Sequence, residues 1–256
     1  MELLATQNTY LSLLAEDNPK FVSENMELIE LTRQSHAHTP AGMYFPITCV
    51  MALETLLADG STVMMRLIGA DGIANFMDRD YDQHPVTVLK SGIAARLRND
   101  GLEQAMGQDP GRVQDMLALY RGRNAQYALN SGCFARHPLT QRISRLLLRA
   151  EVSFGRGKDI MLTQEEIARL VATRRETVTE ILNRFSREGM IDLHRGFIRI
   201  LQRTTLRSHS CDCFTAEMRL EQEVAKSIAS MFRGFDYRAF ARSRYNREPA
   251  LFDHAC

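Results

Sequence analysis

Apolar residues between positions 162 and 201 recur first at helical spacing and then at strand spacing. Three fit one amphipathic helix and four fit a second: Ile167, Leu170 and Val171, then Val178, Ile181, Leu182 and Phe185. Thr163 precedes Glu166 by three residues, and Thr173 precedes Glu176 by three, so each pair predicts a capping box at a helix start. A three- to four-residue turn separates the helices and a β-hairpin follows them. This order predicts a winged helix-turn-helix.

The second of these helices carries polar side chains near its amino end. We expect five of them to face outward, where they can reach base edges and phosphates: Arg174, Arg175, Glu176, Thr179 and Glu180. The alternative is a helical hairpin with a solvated charged face. The two capping boxes, the small Ala168 at the helix crossing and the hairpin together favour binding in the DNA major groove.

The charge of the chain is unevenly distributed, although the net charge is only +1. Residues 136–207 contain 15 lysine and arginine residues against 8 aspartate and glutamate residues. The remainder contains 17 against 23. A basic segment inside an acidic chain is typical of a nucleic-acid-binding domain.

Short apolar segments with glycine breaks characterise residues 40–100. The run Ile47–Leu57, the Asp59-Gly60 turn and the run Thr62–Ile68 predict strand, turn and strand. Two further short strands are predicted at Val86–Lys90 and Ile93–Leu97. This pattern favours an antiparallel β-roll or barrel. Before it, leucines from Leu3 to Leu14 predict a short amphipathic helix that ends at Asp17-Asn18-Pro19.

A long helix is predicted after residue 108, with Asp109 as N-cap and Pro110 at the first helical position. Four apolar residues on it are each seven positions apart, which is coiled-coil spacing, and two more lie between the first pair: Val113, Tyr120, Tyr127 and Phe134, with Met116 and Leu117. Such a pattern is typical of a helix that forms a dimer interface. The alternative is that this face packs on the chain's own β-roll. A further amphipathic helix is predicted at 138–150.

Composition and motifs exclude several classes of protein. No apolar run reaches the roughly 18 residues that a membrane helix needs. The amino terminus does not have the pattern of a signal peptide. Five cysteines, an odd number, fit a reducing compartment, so we expect a cytoplasmic protein. No P-loop, GxSxG or HExxH motif is present, so we expect no enzymatic activity.

The chain resembles the Crp/Fnr superfamily of bacterial transcription regulators. Three motifs of the DNA-binding domain and three of the sensor domain carry the resemblance: Leu162-Thr163-Gln164-Glu165-Glu166-Ile167-Ala168, Arg175-Glu176-Thr177-Val178 and Glu188-Gly189-Met190-Ile191; then Tyr44-Phe45-Pro46, the Asp59-Gly60 hairpin and Leu67-Ile68-Gly69-Ala70-Asp71-Gly72. It implies an α+β protein with four parts: a cyclic-nucleotide-binding-like β-roll at 1–108, a dimerisation helix at 109–136, a winged helix-turn-helix at 137–207 and a partly helical extension at 208–256.

The resemblance also implies partners and contacts. A homodimer would bind a nearly palindromic operator with half-sites about 34 Å apart, and RNA polymerase is expected as a further partner. The positions that contact bases in the family are Arg175, Glu176 and Glu180 here. Eight candidates for phosphate contacts lie at helix starts or on the wing: Thr163, Gln164, Thr173, Arg174, Thr177, Thr179, Arg195 and Arg199. Glu180 departs from the family's usual arginine, and Ala172 from the glycine frequent in the turn.

No cofactor is expected, and the effector is unknown. Family members that bind cyclic AMP hold its phosphate with a Gly-Glu pair and an arginine. Here the corresponding region carries Asp78, Arg79, Asp80 and Asp82, so dependence on cyclic AMP is not expected. Family members that carry an iron–sulfur cluster bind it through closely spaced cysteines near the amino terminus. No cysteine precedes Cys49 here, so such a cluster is not expected. His36, His38 and His84 are conceivable haem ligands, but surface or packing roles are favoured.

The extension contains one candidate for metal or redox chemistry. Cys211 and Cys213 form a Cys-x-Cys motif with His209 nearby. Because zinc needs four ligands and the usual spacing is wider, unreactive thiols are the favoured interpretation, with a redox- or metal-sensing regulator as the alternative. Thr215 is the expected N-cap of a helix with Leu220, Val224 and Ile228 on one face. We expect that face to pack on the domain, its dimer mate or a partner.

Overall fold

The computed structural model describes residues 7–17, 19–33, 42–74, 86–98 and 110–232. Its first part consists of two short helices and six strands: α1 (Thr9–Asp17), α2 (Pro19–Asn25), β1 (Met26–Leu31), β2 (Gly42–Pro46), β3 (Val50–Leu56), β4 (Thr62–Ile68), β5 (Val86–Lys90) and β6 (Gly92–Arg98). The remainder contains six helices and a hairpin: α3 (Pro110–Arg136), α4 (Leu139–Phe154), α5 (Gln164–Leu170), α6 (Arg175–Arg187), β7 (Ile191–His194), β8 (Phe197–Ile200), α7 (Arg203–Ser208) and α8 (Cys213–Phe232).

The six amino-terminal strands form two antiparallel three-stranded sheets. One has the order β1-β6-β2 and the other β4-β3-β5. The hairpin predicted around Asp59-Gly60 is confirmed as β3 and β4, which pair from Met51 and Ile68 to Leu56 and Thr62. The two short predicted strands are β5 and β6. Strand β1 was not predicted, because residues 26–31 alternate polar and apolar positions only weakly.

The amino-terminal helices cover the end of the roll. Leu11 and Leu14 of α1 are buried, as the amphipathic pattern predicts, whereas Leu3 and Leu4 lie outside the described residues. The predicted break falls between α1 and α2, and Pro19 occupies the first position of α2, where its missing N–H costs nothing. These helices join α3 and α8 in one apolar core.

Helix α8 packs along α3 and is not a free extension of the chain. Val224 and Ile228 are buried in the core that also contains Leu119 of α3. A Cβ added to Gly122 would lie 2.6 Å from a methyl carbon of Val224, so the close crossing requires glycine at that position. The expected packing of this face is therefore confirmed, and its partner is the chain's own long helix.

The expected N-cap of α8 at Thr215 is wrong. The helix begins at Cys213, because the amide of Ala216 already donates to the carbonyl of Asp212. The Thr215 hydroxyl instead accepts a hydrogen bond from the guanidinium of Arg207.

A buried carboxylate joins α8 to the roll and to α3. Glu221 of α8 accepts hydrogen bonds from the Tyr10 hydroxyl at 2.7 Å, from Arg66 of β4 at 2.9 Å and from Arg123 of α3 at 3.0 Å. The amide of Gln126 also donates to it. Since the five side chains are buried and come from four elements, the cluster links α1 and the β-roll to both long helices.

The carboxy-terminal half has the predicted winged helix-turn-helix. The apolar residues that define its two helices are all buried, and so is Ala168, the small residue predicted at their crossing. Strands β7 and β8 form the wing, with Ile191 opposite Ile200. Helix α4, predicted at 138–150, connects this domain to α3. Within the described ranges, no helix combines the length and apolar character needed to cross a bilayer.

Candidate nucleic-acid interface

The first helix of the motif begins at the predicted capping box. The Thr163 hydroxyl accepts from the Glu166 amide at 3.2 Å, and the Thr163 amide donates to the Glu166 carboxylate at 2.7 Å. Arg33, at the end of β1, donates to both oxygens of that carboxylate at 2.8 Å. The Thr163 hydroxyl is therefore engaged within the protein, and the β-roll contacts the DNA-binding domain at the start of α5.

The turn between the two helices explains why the second capping box is wrong. Ala172 has φ of +49°, the left-handed conformation in which glycine is favoured. The chain then continues so that Arg174 is the N-cap of α6, without a side-chain capping bond. Glu176 is consequently the second residue of the helix and cannot form a box with Thr173.

Helix α6 separates its apolar and polar residues onto two faces. Val178, Leu182 and Phe185 are fully buried against α4 and α5. All three predicted base-contacting residues are exposed on the other face: Arg175, Glu176 and Glu180. Arg174 is also exposed, whereas Thr173, Thr177 and Thr179 are half-buried. The exposed face is thus charged and of mixed sign, and the three predicted base-contacting residues lie in its amino half.

A groove of about 400 Å³ lies between the starts of α5 and α6 and the wing. Thr163 and Gln164 line one side, Arg175 lines the base, and His194 and Arg195 line the wing side. The Thr179 hydroxyl is 2.6 Å from Oε1 of Gln164, which orients the amide group. Four predicted contact residues from three elements therefore share one concave surface.

The two wing arginines differ in their surroundings. Arg199 donates to both carboxylate oxygens of Asp159, at 2.7 Å and 3.0 Å. These bonds lower the pKa of Asp159. Arg195 is exposed and has no ion pair with any residue in the described ranges. Arg195 is therefore free to contact a phosphate, whereas Arg199 would first have to leave Asp159.

The predicted dimer residues on α3 fall into two groups. Val113, Leu117 and Tyr120 are exposed, at 43%, 45% and 39% of their maximum. Met116 packs on the α1–α8 core, Tyr127 on the sheet core and Phe134 on the core of the DNA-binding domain. The expected alternative, packing on the chain's own roll, thus applies to Tyr127, whereas Phe134 packs on the other core. Asp109 lies outside the described residues.

The candidate cysteines of the extension have neighbours that the sequence did not indicate. Cys211 and Cys213 lie beside Cys133 and His137 of the α3 terminus. Burial and the two neighbouring sulfurs raise the pKa of Cys213 to about 12. His209 does not join this cluster, because its Nδ1 is 2.9 Å from the carbonyl of Thr205 and its ring packs edge-on to Phe185. Including His209 was therefore wrong, and the Cys133-x3-His137 spacing was the missed signal.

The residues considered for effector binding are largely outside the described ranges. These are His36, His38, His84, Asp78, Arg79, Asp80 and Asp82. Among the described residues, the buried arginines at the junction of roll and α3 are Arg66 and Arg123. Both bind Glu221, so the chain itself supplies their anion.

Comparisons with known proteins agree with this geometry. Residues 141–209 match the family model for a Crp-like helix-turn-helix domain. FixK2 from Bradyrhizobium japonicum is a structural neighbour with a TM-score of 0.62 and 15% identity, over 73% of this chain and 98% of its own. A regulator of the Crp/Fnr family from Eubacterium rectale has a TM-score of 0.60 and 17% identity, over 79% and 99%.

A third neighbour, a Crp/Fnr-family regulator from Thermus thermophilus, has a TM-score of 0.56 and 20% identity, over 72% of this chain and 98% of its own. The search of curated proteins finds no match. These likenesses confirm the α+β fold and the resemblance noted in the sequence. Residues 141–209 are thus a Crp-like helix-turn-helix domain, and the described chain has the fold of the Crp/Fnr-family regulators that it resembles.

Proposed function

We propose that the chain is a homodimer that binds a nearly palindromic operator through the major groove without cyclic AMP. The observation that carries the proposal is the exposed, charged amino half of α6 above the groove formed with α5 and the wing. Helix-turn-helix proteins place this part of the second helix against base edges. The basic charge of residues 136–207 supplies attraction to the phosphates.

The exposed residues of α6 divide into two roles. Arg175 can donate two hydrogen bonds to guanine, and Glu176 can accept one from the amino group of cytosine. Glu180, one turn further along, can accept a hydrogen bond but cannot donate one. Because guanine presents only acceptors in the major groove, Glu180 selects against guanine at the position that it faces. Of the predicted phosphate contacts, Gln164, Arg174 and Arg195 are placed to position the helix. Thr173, Thr177 and Thr179 are half-buried, and Thr163 and Arg199 are held by Glu166 and Asp159.

The dimer interface follows one exposed stripe of α3. It starts with Val113, Leu117 and Tyr120 and continues through small or polar exposed residues: Asn124, Ala128, Ser131 and Ala135. Gly132 borders this stripe, and a Cβ added there would contact nothing within 4 Å. Small residues let two helices approach closely, so a second α3 fits here. In the second half of the proposed dimer interface, these exposed residues of the stripe therefore take the place of Tyr127 and Phe134.

Independence from cyclic AMP is supported by the Glu221 cluster. A phosphate bound between the roll and α3 would need a positively charged partner. Arg66 and Arg123 already bind the carboxylate of Glu221, at 2.9 Å and 3.0 Å. Cyclic AMP would have to displace the buried, hydrogen-bonded carboxylate of Glu221 from these arginines. This cost favours DNA binding that does not depend on cyclic AMP.

The wing arginines test the proposed orientation on DNA. Replacing Arg195 with alanine should weaken binding to all sequences and reduce the slope of log K against log salt by roughly 2, one contact on each half of the dimer. Arg199→Ala is the matched control, because Asp159 already neutralises that guanidinium. We expect a change less than half as large. Fluorescence anisotropy over a salt series measures both.

Equal slopes for Arg195→Ala and the unmodified protein would mean that the wing does not reach the DNA. That result would contradict the proposed docking of the groove on the phosphate backbone.

A further inference from the structure

Three thiols and one imidazole meet where α3 ends and α8 begins. Cys133 and His137 are one helical turn apart at the end of α3, so both project from the same side. Cys211 precedes α8 by two residues and Cys213 is its first residue. Sγ of Cys133 is 3.6 Å from Sγ of Cys211, and Nδ1 of His137 is 3.5 Å from the sulfurs of Cys133 and Cys213. All four ligand atoms lie within 4.8 Å of one another.

The 3.6 Å between the sulfurs of Cys133 and Cys211 and the two sulfur–nitrogen distances of 3.5 Å match the separations around a single tetrahedral ion. Zinc bonds of about 2.3 Å to sulfur and about 2.0 Å to nitrogen place ligand atoms roughly 3.8 Å apart for two sulfurs and roughly 3.5 Å apart for sulfur and nitrogen. An iron–sulfur cluster would need wider spacing, because its iron and sulfide atoms occupy the centre of the ligand set. The observed distances therefore favour one ion over a cluster.

We propose that Cys133, His137, Cys211 and Cys213 bind one Zn²⁺ ion as a structural site. Three cysteines and one histidine are a donor set of structural zinc, and four protein ligands leave no open position for catalysis. The three thiols are buried, which keeps the site closed to solvent. With three thiolates and a neutral imidazole the site would carry one negative charge. The guanidinium of Arg145, which pairs with Glu217 at 2.8 Å, also lies beside Cys133.

The position of the site gives the ion a mechanical role. His137 is followed directly by Pro138 and α4, which begins the DNA-binding domain. Cys211 and Cys213 hold the α7–α8 connection just after the wing. The ion would therefore fasten α3, α8 and the DNA-binding domain to one another, and it would set the direction of α6 relative to the dimer axis. This last consequence rests on the proposed DNA binding, whereas the metal content does not.

The site is tested by metal analysis of the full-length protein without a histidine tag. We expect about one zinc per chain, and less than about 0.1 in His137→Ala and in Cys213→Ser. Cys49→Ser is the matched control, since Cys49 is also a buried free thiol but lies in the β-roll. Refilling with Co²⁺ should give the visible absorption of a tetrahedral thiolate site in the unmodified protein and in Cys49→Ser, and not in the two ligand variants.

A measurement on the unmodified protein covers the case in which the ligand variants fail to fold. A chelator should lower its Tm, and Zn²⁺ but not Mg²⁺ should restore it. Three results would overturn the proposal: folded protein that is metal-free and takes up no Co²⁺, zinc content unchanged in the ligand variants, or an iron–sulfur chromophore. A Cys133–Cys211 disulfide in metal-free protein would assign the thiols to redox chemistry instead.

Discussion

Replacing Glu221 with alanine should lower the free energy of unfolding by about 3–5 kcal/mol, which corresponds to a decrease in Tm of roughly 6–20 °C. The substitution leaves the guanidinium groups of Arg66 and Arg123 buried without an anion. It also removes the acceptor of the Tyr10 hydroxyl. Breaking a buried ion pair costs more than the pair contributes, because the remaining charges cannot reach water. Calorimetry or urea unfolding measures the change.

The control is Glu223→Ala, two residues along α8. Glu223 is exposed, and its ion pair among the described residues is with Lys226 on the surface, so its loss should change stability by less than about 0.5 kcal/mol. A similar loss in both variants would mean that α8 contributes through its helical packing alone and that the Glu221 cluster is not a link between roll and helices.

The same cluster predicts a dependence of stability on pH. Burial alone would raise the pKa of Glu221, but Arg66, Arg123 and Arg149 outweigh it and hold the pKa well below its usual range. A carboxylate with a lowered pKa contributes fully above its unfolded value of about 4.3, and the contribution is lost as pH falls below that value. The stability advantage over Glu221→Gln should therefore be constant from pH 7 to about 5 and decrease below about pH 4. An advantage that does not change with pH would contradict the assigned charge.

Leu117→Glu should convert the dimer to a monomer and weaken operator binding at least about 100-fold, because the second half-site no longer benefits from being tethered to the first. A carboxylate on the stripe would face its own copy across a two-fold axis. Leu117 is 45% exposed in the single chain, so the change should leave the fold intact. Sedimentation velocity and anisotropy on the same samples measure mass and affinity.

Leu57→Glu is the matched control for this experiment. Leu57 is 44% exposed and lies between β3 and β4, away from α3. We expect a dimer with unchanged affinity. A monomeric unmodified protein would contradict the proposed homodimer, and a dimeric Leu117→Glu variant would place the interface on another surface.

Local signals in the sequence predicted the winged helix-turn-helix correctly. The buried residues of α5 and α6 follow a 3.6-residue period, and the Thr163 box involves only residues three apart. The Thr173 box failed for a local reason as well. The left-handed conformation of Ala172 shifts the start of α6 to Arg175, and spacing alone does not reveal that shift.

Contacts between distant parts of the chain account for what was missed. Glu221 carries no pattern in the sequence that relates it to Arg66, 155 residues away. Cys133 and His137 become candidate metal ligands only because the chain brings the start of α8 back to the end of α3, next to Cys211 and Cys213. The seven-residue spacing of Val113, Tyr120, Tyr127 and Phe134 suggested one seam, but tertiary packing buries its second half within the chain.

The most direct test of operator recognition through α6 is selection from random oligonucleotides with the unmodified protein and with Glu180→Arg. We predict a palindromic site with half-sites one helical turn apart, and a variant site that gains a guanine at the position facing residue 180. Glu188→Arg is the control, since Glu188 is exposed at the far end of α6 and should leave the selected site unchanged. Identical sites for the unmodified protein and Glu180→Arg, or no enriched site, would contradict base recognition by this face of the helix.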